Sequence, residues 1–526
     1  MVKGEQFDVP VPEQLNLGEF FLDVNLEAGR GDKTALYYEG GTYSFLELWR
    51  LTNKFGNLLR SLGVEPENRV LLILEDSPEW VAAWLATLKV GGVGTHAYTY
   101  LPPHDYQYLI NLVRPKLVIA DQATLARVRE AGRGLKYPKA LLVAGDGDFD
   151  LREGEFSLAE LLPSAGDTLE VEPTHRDDIS YWSFSGGTTG KPKGVPHRNG
   201  DAVVSFASFD SFLGYTLDDI VFRVPKLFFH YARDNGLLFA LRSGAASVLA
   251  AEKTSAALVF DIFRKYRPTV MLNVPTMMRA MLETPEEERA DLSSLKRNYS
   301  SGEVLSPQLL GQWLESFGGE VIDRLGSAES GVGYLCNRPG AVVPGSSGTV
   351  CPLNEVKLVD EAGQEVPEGQ PGLLMTRSEA TALYYVREHE KTKTTFPGGG
   401  WINTGDLFTR DENGYFWHVG RANDMVKVSG VWVSPLEIEH GLQDYPGVKE
   451  CAAMAVKDLD GLMSIKAFVV LNEDVAISSE MPAALQKFCK QTLAPHKFPQ
   501  AVEFMAELPK TGQGKIDRRV LRGGAG

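Results

Sequence analysis

Short apolar runs alternate with amphipathic or wholly apolar stretches from about Arg69 to Leu325. Arg69–Leu74 (RVLLIL) predicts a strand and Pro78–Val90 a helix; Lys116–Ala120 predicts the next strand. Asp219–Val224, Ala246–Leu249, Thr269–Leu272, Asn298–Ser301 and Glu320–Leu325 continue the series, with helices such as Ala256–Tyr266 and Pro307–Phe317 between them. Strand and helix in alternation imply parallel sheets covered by helices. After Gly340 the texture changes. Gly345 to Gly420 is rich in glycine and carries short alternating runs, Glu355–Val359 and Gly372–Thr376, which suit a small antiparallel barrel or sheet. A third texture follows Gly420-Arg421-Ala422-Asn423. Ser434-Pro435-Leu436-Glu437 opens a helix in the manner of a capping box. Strands at Glu450–Val456 and Ser464–Leu471, a helix near Leu485–Leu493 and a strand at Val502–Met505 complete an α+β module. At about 100 residues it has the size of a domain.

Composition narrows the class. The 526 residues are 43% hydrophobic and 23% charged, ordinary for a globular chain too long for one core. A formal net charge of −16 argues against nucleic acid or an anionic membrane as partner. Cys336, Cys351, Cys451 and Cys489 lack metal spacing and read as neutral thiols in a reducing compartment. The N-terminus has no apolar signal core, and no run approaches the ~18 apolar residues of a membrane span, so the expected location is cytoplasmic.

Five stretches carry chemistry. Ser185-Gly186-Gly187-Thr188-Thr189-Gly190-Lys191-Pro192-Lys193-Gly194 follows the apolar run Asp178–Phe184. Its amides and hydroxyls, with the charge of Lys193, read as a phosphate cradle; the alternative is a surface turn between strand and helix. It is not a Walker loop, because Pro192 follows Gly190-Lys191. Asp323-Arg324-Leu325-Gly326-Ser327-Ala328-Glu329 ends a strand where parallel sheets bind ligands, and Glu329 is placed to hold Mg²⁺ against phosphate or to be an exposed turn residue. Asp406, in Trp401–Asp406, is a candidate acceptor for ribose hydroxyls or a turn aspartate. Gly420–Gly430 and Leu508–Arg518 complete the set; the latter puts Lys515 on a glycine-rich loop.

In this order the five stretches resemble the adenylate-forming superfamily of acyl-CoA synthetases, adenylation domains and beetle luciferases, over nearly the whole chain. The resemblance implies an α/β fold: a large N-terminal domain of two helix-covered sheets plus a small β-barrel over residues 1–421, a hinge at 422–423, and a small mobile α+β C-terminal domain over 424–526. It implies ATP, Mg²⁺ and CoA as cofactors and a small-molecule carboxylic acid as partner. The acid is activated as an acyl-adenylate and passed to a thiol. Ser185, Gly186, Gly187, Thr189, Gly190 and Lys193 match the phosphate-embracing loop, and Thr188 and Glu329 the metal-associated positions. Ser301, Gly302 and Glu303 match one wall of the adenine site; Asp323, Arg324 and Leu325, leading to Gly326 and Ser327, match the other. Asp406 matches the ribose-binding aspartate, Arg421 the arginine beside it, Lys515 the catalytic lysine and Asn423 the hinge. Ser429 and Gly430 match the lining of the pantetheine channel. A cation bridging carboxylate and phosphate oxygens offsets anion repulsion in the transition state, the role implied for Lys515.

Within the superfamily the chain is most similar to benzoate- and aryl-CoA ligases, on Lys226–Tyr231, Cys336–Ala341 and Val428–Pro435. Phe229, His230 and Tyr231 then edge the acid pocket, and Gly331 and Gly333 remove side-chain volume from it, so a substituted benzoate or a larger cyclic or polycyclic acid is expected. His230, Arg233 and Asp234 add polar groups nearby that suit a hydroxyl or keto substituent; the competing reading, favoured for Arg233 and Asp234, is a solvated loop. Gly186 replaces the second serine of the phosphate loop, a mild departure, and two further departures stand out. Ala328 lacks the hydroxyl relatives place there, and Asn423 replaces the usual Asp or Lys. Both leave open a variant specialised for thioester formation on a preformed adenylate. Loading of a carrier protein, expected to be a separate chain, and luciferase-like oxidation are the other readings; a homodimer is compatible with all.

Overall fold

The computed structural model describes the chain except residues 187–190, 429–430, 458–462, 473–474, 494–496, 511–515 and 524–526. The chain divides into two compact units. The larger comprises Val2–Val356 and Thr376–Ile402, the smaller Met1, Lys357–Met375 and Asn403–Gly526.

The larger unit contains two helix-covered sheets. In the seven-stranded sheet the order is Lys193–Arg198, Ile179–Ser185, Val93–His96, Arg69–Ile73, Leu117–Asp121, Ala140–Ala144 and Glu155–Ser157. All neighbours are parallel except the first pair. In the nine-stranded sheet six strands run parallel: Val321–Gly326, Arg297–Ser300, Val270–Asn273, Ile220–Arg223, Ala246–Val248 and Thr34–Tyr38. Antiparallel strands border them on both sides.

Alternation along the strands builds three apolar layers. Val70 and Leu72 face a central core shared with Val221, Val270, Leu272 and Ile322 of the other sheet. Leu71 and Ile73 face an outer core with Tyr106, Leu109 and Ile110, while Phe222 and Met271 face another with Phe260 and Trp313. The helix Pro78–Lys89 lies in the central layer. Every residue of it except Glu79 is buried, as its apolar composition on all faces requires. Ser77 accepts from Trp80 N at 3.2 Å and Pro78 takes the first turn, which fixes its start.

One buried ionic cluster links the two sheets. Asp76, just beyond the strand Arg69–Ile73, lies 3.3 Å from Arg223 Nη2 and 3.8 Å from Lys226 Nζ, and accepts from Leu227 N at 3.1 Å.

In the smaller unit, Val448–Lys457, Met463–Leu471 and Ala501–Phe504 form a three-stranded sheet. The helices Pro435–Gln443 and Met481–Thr492 pack on one face through Ile438, Leu442, Leu485 and Cys489. The strands Glu355–Val359, Gly372–Arg377, Trp401–Arg410 and Phe416–Arg421 are neighbours in that order in the five-stranded sheet that the glycine-rich texture predicts. Ser434 departs from expectation. It precedes Pro435 as foreseen but makes no side-chain cap; its hydroxyl instead donates to Val419 O at 2.5 Å. The Glu437 carboxylate pairs with Lys497 Nζ at 2.8 Å, so neither partner of the capping box is available to the other. All four cysteines are buried and unbridged, and among the described residues no helix is long and apolar enough to cross a membrane.

Removing Asp76 strands the Arg223 charge inside the protein. Asp76→Ala is expected to destabilise the larger unit by about 3–5 kcal/mol, read from urea unfolding followed by tryptophan fluorescence. A loss below about 1 kcal/mol, the range of an exposed pair, would contradict the structural role given to this cluster.

Candidate active site

The glycine-threonine loop joins two antiparallel strands rather than a strand and a helix. Lys193 pairs with Ser185 in register and Gly194 with Phe184, so the ladder fixes the two residues that flank the stretch. Tyr108 reinforces that flank: its hydroxyl donates to Pro192 O at 3.2 Å, and Lys191 Nζ lies 5.0 Å from its ring centre. A Cβ on Gly186 would meet nothing within 4 Å, leaving its backbone approachable. Gly187, Thr188, Thr189 and Gly190 lie outside the described residues.

Tyr385, which no sequence signal singled out, organises the next part. Its hydroxyl donates to Glu329 Oε1 at 2.6 Å, and Lys193 Nζ stands 4.5 Å from its ring centre. One tyrosine therefore holds the candidate metal-binding carboxylate and contacts the cation of the hairpin. Burial and the Glu329 charge push the phenol well above its ordinary range, so it stays a donor.

The two stretches expected to wall a nucleotide are brought side by side, since Ser300, the last residue of its strand, pairs in parallel with Asp323, from which the neighbouring strand continues to Gly326. Ser301, Gly302 and Glu303 follow directly. Gly302 has φ of 88° with open space where a Cβ would stand. The Glu303 carboxylate is engaged elsewhere, accepting from Thr276 N at 3.1 Å and Thr276 Oγ1 at 2.7 Å at the start of the helix Pro275–Glu283. Arg324 differs from expectation in its side chain. It turns inward, bonded to Asn235 and stacked 5.3 Å from the Phe209 ring centre, so only its backbone faces the strand edge. Alternation places Asp323 and Leu325 on the opposite face. Asp323 Oδ1 is buried without a partner. Burial pushes its carboxyl up to about 7, offset only in part by the Ser300 hydroxyl.

Gly326 to Gly333 form a tight turn. Ser330 N donates to Ser327 Oγ at 3.2 Å and Ser330 Oγ to Ser327 O at 2.9 Å. His197 Nε2–H donates to Ala328 O at 2.7 Å. The volume freed at Gly331 and Gly333 is already taken by protein, against the expectation of a roomier pocket. A Cβ on Gly331 would come 2.6 Å from Ala380 O and 3.1 Å from His197 Cε1; one on Gly333 would collide with Arg324 Nε at 2.1 Å.

Phe229 packs 5.1 Å from Tyr98 and 4.9 Å from Phe228, ring centre to ring centre. Tyr231 OH donates to Tyr299 O at 3.1 Å. Arg233 and Asp234 are not solvated: their side chains are 0% and 6% exposed, with Arg233 Nε 2.6 Å from Asp234 Oδ1 and His230 Nε2 2.7 Å from Asp234 Oδ2. Arg233 is held over the rings of Trp84 and Tyr181 at 4.5 and 4.7 Å. The chain earns these contacts through a short helix, His230–Arg233, that turns into a π-helical segment and so faces both charges inward.

In the smaller unit Asp406 and Arg421 meet in register across two antiparallel strands. Arg421 Nε lies 3.0 Å from Asp406 Oδ1, and its Nη1 donates to Thr404 O at 3.0 Å. His418, absent from the sequence expectations, adds Nε2 at 3.3 Å from the same oxygen. A turn with Gly405 at φ of 76° sets the aspartate's direction. Asn423 lies in a short 3₁₀ turn, Ala422–Asp424. Lys515, Ser429 and Gly430 lie outside the described residues, but the stretch bearing Lys515 springs from a fixed base. Lys510 bridges Ile516, Asp517 N donates to Pro509 O at 2.7 Å, and Arg518 is tied to the buried Glu439 at 2.7 Å.

A raised carboxyl pKa has a definite sign. Asp323 in the folded protein holds its proton where the unfolded chain has lost it, so stability falls as pH rises from about 4 to 7. Asp323→Asn should therefore raise the midpoint of thermal unfolding of the ligand-free protein at pH 8 and lose that advantage near pH 4. A gain independent of pH would contradict the burial of an unpaired carboxyl.

The AMP-binding enzyme family matches residues 24–386, and the AMP-binding enzyme C-terminal domain matches residues 437–515. The benzoate–CoA ligase of Thauera aromatica is 35% identical over 98% of this chain and 97% of its own. The 4-hydroxybenzoate–CoA/benzoate–CoA ligase of Rhodopseudomonas palustris is 36% identical over 95% and 93%. Among solved structures, the anthranilate CoA ligase AuaEII in complex with anthranoyl-AMP superposes with a TM-score of 0.91 at 34% identity, covering 98% of both chains. The benzoate CoA ligase of Burkholderia xenovorans gives 0.88 at 34% identity over 96% of this chain and 99% of its own. With both parts of the family matched and these relatives aligned nearly end to end, the chain belongs to the AMP-binding enzymes, as an AMP-forming acid–thiol ligase of the adenylate-forming superfamily.

Proposed function

We propose that this enzyme activates an aromatic carboxylic acid with ATP as the acyl-adenylate and transfers the acyl group to CoA. The observation that carries this reading is the near end-to-end similarity to ligases of benzoate and hydroxybenzoate, joined to an aromatic segment at Tyr98, Phe228, Phe229 and Tyr231. In this reading residues 185–193 hold the β- and γ-phosphates, the strand ends at 301–303 and 323–327 line the nucleotide, and Asp406 with Arg421 receives the ribose. Lys515 bridges the acid and the α-phosphate. Residues 424–526 turn about 422–423 between adenylation and thioester formation, after which Ser429 and Gly430 line the pantetheine path.

Glu329 suits Mg²⁺. Among the described residues no cluster of three or more His, Cys, Asp or Glu could hold a metal ion alone, whereas one oriented carboxylate suits an ion that keeps water and substrate phosphate as its other ligands. Mg²⁺ there would neutralise phosphate charge, and Tyr385 would fix the carboxylate that receives it.

Ala328 favours a second reading, an enzyme better at the thioester half-reaction than at adenylation. Its missing hydroxyl removes one donor to the α-phosphate, a loss of roughly 1.5–3 kcal/mol for a hydrogen bond to a charged group. Ser327 has a hydroxyl in the same turn, already accepting from Ser330 N.

The test supplies benzoate, hydroxybenzoates and bulkier cyclic acids with ATP, Mg²⁺ and CoA, and measures pyrophosphate and acyl-CoA separately. Aromatic acids should yield both. Lys515→Ala should cut pyrophosphate release by about 10²–10³ and leave much of the transfer from supplied acyl-adenylate to CoA. Equal damage to both half-reactions would remove Lys515 from its proposed role.

A further inference from the structure

The His230 ring is constrained on two sides. Its Nε2 is closed to solvent and lies 2.7 Å from Asp234 Oδ2, a close electrostatic contact outside hydrogen-bond geometry in the ligand-free protein. Its face stacks on His197 with centres 6.1 Å apart and planes 9° from parallel. Asp234 is fixed in turn by Arg233, whose guanidinium is clamped by Trp84 and Tyr181. The charged and titratable groups around the ring are therefore Arg233, Asp234, His197 and, beyond Arg233, His96.

These neighbours decide where the proton sits. Asp234 is held below the ordinary carboxylate range, with Arg233 and His230 overcoming its burial, so it is ionised and can only accept. Burial lowers His230 in spite of that carboxylate, so the ring is neutral at pH 7 and carries one proton. That proton belongs on Nε2, facing Asp234. Nδ1 is then a lone-pair acceptor. Among the described residues nothing hydrogen-bonds to Nδ1, and 16% of the side chain is exposed. The stack leads to the proposed acid site: His197, under His230, donates to Ala328 O and fills the space beside Gly331.

Resting on the aryl-CoA ligase reading above, we propose that His230 is a specificity-determining acceptor, with Asp234 as its positioning residue, and that the preferred acid carries a hydroxyl group that donates to Nδ1. A keto or ether substituent of the same size offers only lone pairs and would face another lone pair. An unsubstituted ring would leave Nδ1 unpaired in a partly desolvated place.

The experiment measures equilibrium binding of matched ortho, meta and para hydroxy- and methoxybenzoates by calorimetry, and acyl-CoA formation separately. One hydroxy acid is expected to bind about tenfold more tightly than its methoxy counterpart. In His230→Phe, which keeps a ring in the stack, that ratio should collapse to near one. Asp234→Asn, whose amide can donate to Nε2 and drive the proton to Nδ1, should abolish or invert the ratio, which a merely structural role would not do; an unchanged ratio would overturn the positioning role. ¹⁵N spectra of the wild-type histidines supply a check that needs no variant. The Nε2–H tautomer at His230 supports the inference and the Nδ1–H tautomer overturns it, as does equal binding of hydroxy and methoxy acids at every position. Selective binding with no pyrophosphate or acyl-CoA from any acid that binds would instead overturn the ligase reading and leave the preference for a donor standing.

Discussion

A charge taken out of water must be paired, and the larger unit is arranged around that constraint. Asp76 leaves the end of one sheet and meets Arg223 and Lys226 from the other, so the buried cations fix where the two sheets stand. Lys89, at the end of the central helix, reaches Asp23 at 2.6 Å while its stem stays in the apolar layer. Arg233 and Asp234 pair with each other, with the guanidinium held between two aromatic rings. Asp323 is the contrast. It is a carboxyl of the same kind, yet it has no cation and one oxygen without a partner, and its pKa rises to about 7 where that of Asp234 falls. A group left unpaired inside a protein costs stability, and such groups collect where a ligand is to be received. Asp323 is the last residue of its strand to pair with the parallel neighbour Arg297–Ser300, beside the carboxyl end of that neighbour, where open sheets receive ligands.

The same logic governs the loops. A glycine-rich segment can close on an anion only if its ends are fixed, because ordering a free loop consumes much of the binding energy. The hairpin after Ser185 has its ends in a ladder, and Tyr108 grips Pro192 beside it. The stretch before Ile516 has its ends in a β-bridge, with Arg518 tied to a buried carboxylate just beyond. In each unit the described residues that flank a glycine-bearing stretch are held by ordinary ladder bonds and ion pairs.

Much of this was legible in the chain. The helices Ala256–Tyr266 and Pro307–Phe317 occur over the residues that periodicity predicts, because their apolar stripes are strong and serine starts both. Strand positions agree to within a residue or two, since a run such as RVLLIL has nowhere to go but a buried sheet. What failed were inferences that depend on tertiary neighbours. Ser434 had the sequence of a cap, but a hydroxyl bonds to whichever carbonyl is nearest, and Val419 O was nearer than the helix. Arg233 and Asp234 looked solvated because adjacent opposite charges usually are; only the fold supplies Trp84 and Tyr181 to enclose them. Tyr385 and His197 gave no local signal, for their partners lie more than fifty residues away along the chain.

The glycines at 331 and 333 show how such an error changes a functional argument. Glycine in a pocket segment suggests room for a large acid. Here His197 and Arg324 occupy that room, and the glycines exist to admit them. His197 in turn stacks on His230, whose Nε2 stands 2.7 Å from Asp234. Discrimination by size alone is weak: one methylene is worth about 1–3 kcal/mol in an apolar pocket, whereas a site built around a hydrogen bond rejects the analogue that lacks it far more strongly. A chain that spends two glycines to seat a histidine and an arginine has exchanged volume for direction. Under the proposed specificity, selection among acids of similar size would rest on where a substituent can place a proton rather than on how much space it fills.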